Sequence, residues 1–215
     1  MKPYYEQDGI TIFHGDCREI AASLEYAVVV SDPPYGISYN EEDEPQAKHI
    51  EMNRRQLTTV RGDSGPFDPS PWIDRPFILW GGNCYASRLP DCRVWLCWDK
   101  VTRNGLDGMR IAECEFAATN CVGRSRVFRY MWAGAYREGE RGDSFHPTQK
   151  AIALMLWCIR LPGVPAGTIL DPFMGSGTTL VAAKLEGRKA IGIEIEERYC
   201  EIAVNRLRQG VLGFG

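Results

Sequence analysis

Residues 168–195, TILDPFMGSGTTLVAAKLEGRKAIGIEI, constrain the fold more than any other stretch of the chain, because they read as strand, glycine-rich turn, helix and strand in 28 positions. A strand followed by a helix and a second strand builds a parallel sheet with crossover helices. Gly175 and Gly177 let the backbone of the turn approach a ligand closely, and a helix starting near Thr178 offers free N–H groups. About twenty residues past the turn, Glu194 closes the second strand, where a carboxylate can accept hydrogen bonds from two ribose hydroxyls. The glycines are spaced G-x-G with no third glycine, which disfavours a dinucleotide, and no G-K-[ST] follows, which disfavours a nucleoside triphosphate. A nucleoside without phosphate fits better.

The rest of the chain keeps the same rhythm. Further strands are expected at 10–13, 27–31, 77–81, 94–98 and 115–120, which with 168–171 and 190–195 makes seven. Helices are expected at 17–25, 102–110, 148–161, 177–187 and 196–208. Two stretches depart from it. Residues 36–72 are polar, with acids from Glu41 to Glu44 and then Gly and Pro, and read as a long loop. Residues 121–145 interleave Arg124, Arg126, Arg129, Arg137 and Arg141 with Phe128, Tyr130, Trp132 and Tyr136.

A second motif, SDPPYG at 31–36, follows the apolar run AVVV and so belongs in the loop at the carboxyl end of a strand, where open α/β sheets hold their ligands. An aromatic amine is a poor nucleophile because its lone pair is delocalised into the ring. Acceptors that hold its hydrogens localise that pair, and the Asp32 carboxylate and a backbone carbonyl can serve. Pro33 and Pro34 fix the backbone and lack a competing N–H, leaving their carbonyls as acceptors, and Tyr35 can stack on a base. Asp-Pro-Pro also occurs as a plain turn. The apolar strand before it and the Tyr-Gly after it favour the chemical reading.

Bulk properties bound the rest. A chain of 215 residues with 44% hydrophobic content can bury one core, so a single domain over 1–215 is expected. Net charge is -3, so any nucleic-acid contact must come from a local patch. Arg outnumbers Lys 19 to 6, which suits bidentate contacts. The eight cysteines include no Cys-x-x-Cys pair and there are three histidines, so no metal site is expected. Cysteines inside apolar runs, such as Cys97 and Cys158, behave as small hydrophobes and point to a reducing compartment. With no signal-like N-terminus and no long apolar run, the expected location is cytoplasmic, away from membranes.

With SDPPYG early and LDPFMGSGTT late, the chain resembles the adenine-specific DNA amino-methyltransferases in which the catalytic motif precedes the cofactor motif, the β arrangement of that family. HGDC at 14–17 and HPTQK at 146–150 extend the resemblance over most of the chain. It implies a permuted Rossmann-like, S-adenosylmethionine-dependent methyltransferase fold, a mostly parallel seven-stranded sheet with one antiparallel strand, 94–98 and 115–120 forming its hairpin end. It implies transfer from S-adenosylmethionine to the 6-amino group of adenine in double-stranded DNA, with the base flipped out of the stack and no covalent nucleophile. Asp32, Pro33, Pro34 and Tyr35 then correspond to the catalytic tetrapeptide. Asp171, Phe173, Gly175, Ser176, Gly177 and Thr178 correspond to the cofactor loop, Glu194 to the ribose acid, and Asp16 with its neighbour Cys17 to the residues at the cofactor's adenine. His146, Thr148 and Lys150 match the segment before that loop, with Lys150 able to meet the methionine carboxylate.

The chain departs from the family where a Pro commonly follows HPTQK and Ala151 stands instead, and in its small recognition region, which implies low sequence specificity. A monomer or homodimer is expected, and stand-alone enzymes of this size resemble phage or prophage products. Other acceptors stay open: the 4-amino group of cytosine, which Asp rather than Ser at position 32 disfavours, then RNA or a protein amide. A non-catalytic nucleoside-binding module is the remaining reading.

Overall fold

Val28, Val29 and Val30 have no solvent exposure on either side, and neither have Ile78, Leu79 and Trp80, which is why these two segments are runs of β-branched and large apolar residues without alternation. They are the central strands β3 (Val28–Ser31) and β4 (Phe77–Trp80) of a sheet covered on both faces. The computed structural model describes residues 1–36, 63–101, 112–133, 136–137 and 149–209. The other strands are β1 (Tyr5–Gln7), β2 (Ile10–His14), β5 (Val94–Asp99), β6 (Cys114–Thr119), β7 (Arg126–Arg129), β10 (Ile169–Asp171) and β11 (Ala190–Glu194). A separate pair, β8 (Trp132–Ala133) and β9 (Tyr136–Arg137), is antiparallel.

The main sheet runs β1-β2-β11-β10-β3-β4-β6-β5-β7. All seven expected strands are in it, and the mostly parallel α/β architecture holds. The count of seven is corrected to nine among the described residues, and two strands, β1 and β6, run against the others. Both added strands lie at edges. β1 is three residues long with two exposed, and β7, RVFR, has an Arg at each end and no buried residue, so neither carries the hydrophobic signature of a central strand. β5 and β6 pair as expected, but β6 is inserted between β4 and β5, and β7 rather than the hairpin ends the sheet.

Helices α2 (Ile152–Arg160), α3 (Thr178–Leu185) and α4 (Glu197–Arg208) cover one face through Leu154, Met155, Cys158, Leu180 and Leu207. The other face packs Phe13, Phe67, Trp72 and Tyr85 with Ile20 of α1 (Cys17–Ile20). The 17–25 expectation shortens to α1 and a single 3-10 turn at Ala21–Ser23. The 102–110 helix, and residues 37–62 of the long loop, lie outside the described residues. Ala151 precedes α2 with φ -67°, the value a proline ring would impose, so the backbone angle at this position is one that a proline would also hold. No described helix is long and apolar enough to cross a membrane.

Candidate functional site

The strand order decides where the two motifs meet. β3 pairs in parallel with β10, so SDPPYG and DPFMGSG leave adjacent strands at the same carboxyl edge. Ser31 Oγ donates to Asp171 Oδ1 at 2.6 Å, and Phe173 N–H donates to the same oxygen at 3.2 Å. Asp171 is therefore a buried brace between the motifs. Burial pushes its carboxyl up to about 6, against hydroxyls of Ser31 and Thr179 that favour the charged form.

On the β3 side, Tyr35 donates its hydroxyl to Asp32 Oδ1 at 2.5 Å, and Lys150 Nζ lies 2.8 Å from Asp32 Oδ2. The Tyr35 ring crosses Gly81, which has φ +72°, and a Cβ there would run into Tyr35 Cε1 and Cδ1. Gly36 N–H donates to the buried Asp63 carboxylate at 2.6 Å, which anchors the end of the loop. Pro33 is buried and Pro34 half-buried between them. Burial raises the proton affinity of Asp32, and the Lys150 ammonium opposes this. Tyr35, held beside a carboxylate, keeps its proton far above the usual phenol range, burial being the larger cause.

On the β10 side, Gly175 has φ +50° and Gly177 has φ +80°, and a Cβ on Gly177 would meet Ala203 Cβ of α4 at 2.8 Å. Glu194 accepts from Gly175 N–H at 3.0 Å and from Glu196 N–H at 2.8 Å, so it locks the glycine turn to the end of β11. Arg206 of α4 donates to Ser176 O at 2.7 Å, Ser176 Oγ at 3.0 Å and Thr178 Oγ1 at 3.1 Å, which occupies both side chains with holding the loop. Phe173 is half-buried, edge-on to Phe67 and Trp72 with centroids 5.5 Å away. Gly15 N–H donates to Glu194 O at 2.9 Å, which brings Asp16 and Cys17 to the same edge. There Asp16 caps α1 by accepting from Arg18 N–H at 2.9 Å, and burial pushes the Cys17 thiol up to about 12. Among the described residues no group of three or more His, Cys, Asp or Glu could hold a metal ion.

Residues 96–205 match the family model of the N6/N4 methyltransferases, described as DNA methylase. This chain belongs to that DNA methylase family. It is similar to the type II methyltransferase M2.LlaDCHI of Lactococcus lactis subsp. cremoris, 43% identical over 261 aligned residues covering 97% of this chain and 93% of the relative. It is also similar to the type II methyltransferase M.ScaI of Streptomyces caespitosus, 29% identical over 255 residues and covering 96% and 84% of the two chains. Among solved structures, the cytosine-N4-specific PvuII DNA methyltransferase superposes with a TM-score of 0.63 at 14% identity, over 99% of this chain and 91% of that one. M1.HpyAVI in its SAM complex superposes with a TM-score of 0.53 at 24% identity, over 92% and 98%. Both structural likenesses are likenesses of fold. Membership of a DNA methylase family sets aside the reading of a non-catalytic module.

Within this family frame, the sequence expectations group as two clusters: Asp32, Tyr35 and Lys150, and then Phe173, Gly175 and Glu194. Lys150 is 6% exposed and engages Asp32 and Glu115. His146 and Thr148 lie outside the described residues. Sequence reading missed Glu115, Lys100, Gly81 and Asp63. Glu115 is the second residue of β6, and because β6 is antiparallel, its beginning lies beside the carboxyl ends of β4 and β5. A charged residue near the start of a mostly apolar strand, CEFAAT, was the available signal.

Proposed function

We propose that this family member transfers a methyl group from S-adenosylmethionine to an exocyclic amino group in double-stranded DNA, and that the acceptor is the 6-amino group of adenine. The observation that carries the reading is the Ser31–Asp171 bond at 2.6 Å, which sets the Asp32 loop beside the glycine turn. One donor of the turn, Gly175 N–H, is already taken by the Glu194 carboxylate, which suits a neutral ribose at that acid and disfavours a phosphate there. The residues therefore fit S-adenosylmethionine, with Glu194 at the ribose, Asp16 at the adenine and Phe173 with Gly175 at the methionine side. The cofactor supplies an electrophilic methyl group on a sulfonium. Asp32 and the loop carbonyls accept the amino hydrogens and localise the lone pair, and Tyr35 covers the extruded base. As the amine takes up the methyl group it sheds one proton. We assign that proton to Asp32, whose proton affinity burial raises.

Asp at position 32 supports adenine over cytosine within the family. Digestion of treated duplex DNA to nucleosides and mass spectrometry tests the reading: N6-methyladenine is the expected product. N4-methylcytosine would move the acceptor and keep the enzyme, and a lack of any methylated nucleoside would overturn the proposal.

A further inference from the structure

Lys100 and Glu115 belong to neither sequence motif, yet their side chains are only 13% and 22% exposed. Charged groups stay at such depth only when paired. Lys100, just past β5, places Nζ 2.8 Å from Glu115 Oε1, and Glu115 Oε2 lies 3.0 Å from Lys150 Nζ. The same Lys150 ammonium reaches Asp32 Oδ2 at 2.8 Å and Tyr35 Oη at 2.9 Å. The contacts form one line: Lys100, Glu115, Lys150, Asp32, Tyr35. Two carboxylates and two ammonium groups balance within it.

An ammonium has three donors on a flexible four-carbon stem. Lys150 directs two of them to Asp32 Oδ2 and Tyr35 Oη, both of the 31–36 motif, and its ammonium pairs by charge with a third group, Glu115, whose Oε2 has no hydrogen-bond partner among the described residues. Of these, only Glu115 stands outside the groups assigned to the target base. When a base engages Asp32 and Tyr35, Glu115 is the contact that keeps the ammonium from drifting. Its negative charge also matters, because positive charge grows on the amine during transfer, close to an ammonium that would otherwise oppose it.

We propose that Glu115 is a positioning residue for the transfer, holding the Lys150 ammonium against Asp32 and Tyr35 and offsetting its charge while positive charge develops on the target amine. The proposal rests on Asp32 being the group that receives the amine. Its geometry is supported by the carboxyl's acidity: burial pushes Glu115 up, but Lys150 and Lys100 together draw it down to about 2. Lys150 correspondingly stays charged, as Asp32 and Glu115 outweigh the burial that would strip its proton.

The competing role for Glu115 is merely to neutralise Lys100. Glu115→Gln alone leaves two ammonium groups around one carboxylate and can fail to fold. The charge-balanced pair Lys100→Gln with Glu115→Gln removes one charge of each sign and is the variant to measure. Its kcat is expected to fall roughly tenfold or more, with KM for DNA and Kd for S-adenosylmethionine moving by less than about threefold. In a Lys150→Met background, adding Glu115→Gln is expected to cost less than about twofold, since the two residues act as a unit. Full activity of the charge-balanced pair, or an undiminished loss in the Lys150→Met background, would overturn the proposal. Wild-type protein that methylates no DNA would instead overturn the proposed function. In that event the NMR signal of the Lys150 ammonium in the free protein still reads the hold of Glu115: protection from solvent exchange in wild type and its loss in the charge-balanced pair are expected, and unchanged protection overturns it.

Discussion

The Ser31 hydroxyl donates to the Asp171 carboxylate at 2.6 Å across 140 residues of sequence, and through this bond the two motifs become one site. Asp171 is 2% exposed, and its carboxyl is raised from the ordinary 3.8 to about 6 by burial. A group whose folded pKa is raised contributes stability that is full below its unfolded value and lost as pH rises through the folded one. The window here is from about pH 4 to about pH 6. Glu115 acts in the opposite sense and lower, since its contribution is present above 4.5 and lost as pH falls towards 2. Asp171→Asn is therefore expected to flatten the dependence of melting temperature on pH between 4 and 6. A variant that kept the wild-type slope would assign that slope to other groups.

Asp32→Ala is expected to reduce methyl transfer by at least about a hundredfold, the scale of losing a positioned proton acceptor. Because Asp32→Ala leaves Lys100 and Lys150 around the single Glu115 carboxylate, its melting temperature is measured alongside and is expected to fall. Single-turnover rates and calorimetric titration with S-adenosylmethionine are the measurements. A loss of cofactor affinity as large as the loss of rate would make Asp32 a cofactor residue.

Glu194→Gln is expected to weaken the cofactor by roughly tenfold to a hundredfold without changing which base is methylated, as a charged acceptor contributes about 1.5 to 3 kcal/mol. The amide also replaces one of two oxygens that hold Gly175 and Glu196 N–H groups, so the melting temperature should fall with it. Unchanged affinity would remove the ribose role even if the protein were less stable.

Gly81→Ala puts a Cβ into the Tyr35 ring and a side chain at φ +72°, where an L-residue costs about 1–2 kcal/mol. Either the ring or the β4 end must shift. The expected result is a fall in kcat with the affinity for S-adenosylmethionine retained, and a variant of wild-type kcat would show that Tyr35 has no fixed position to protect.

Arg124 and Arg129 are exposed at edge strand β7, Arg129 loosely paired with Asp99 at 3.5 Å. Replacing each by Ala is expected to weaken DNA binding equally on all sequences and to lower the salt slope of log K by about 0.9 for each phosphate that is no longer neutralised. Methylation mapped on a long random-sequence duplex should then fall on scattered adenines. Confinement to one short motif would refute this low specificity.

Much of the site was legible because it is local. The G-x-G turn before a helix, the acid closing the next strand and the Asp-Pro-Pro-Tyr after a run of valines each fit within thirty residues, where backbone conformation and side-chain type act together. Edge strands β1 and β7 were not legible, since short segments with exposed or charged residues become strands only through the hydrogen bonds of a neighbour already in place. The role of Lys150 was hidden for a related reason. Its motif could suggest a cofactor contact, but its partners come from β3 and β6, 118 and 35 positions away in the chain. Their meeting depends on β6 entering the sheet antiparallel, which puts the start of that strand, and Glu115 with it, at the edge where the parallel strands end. Local sequence determined which groups could do chemistry. Strand order and direction decided which of them could touch, because a buried ammonium takes its place from whichever carboxylates the closed sheet brings within about 3 Å.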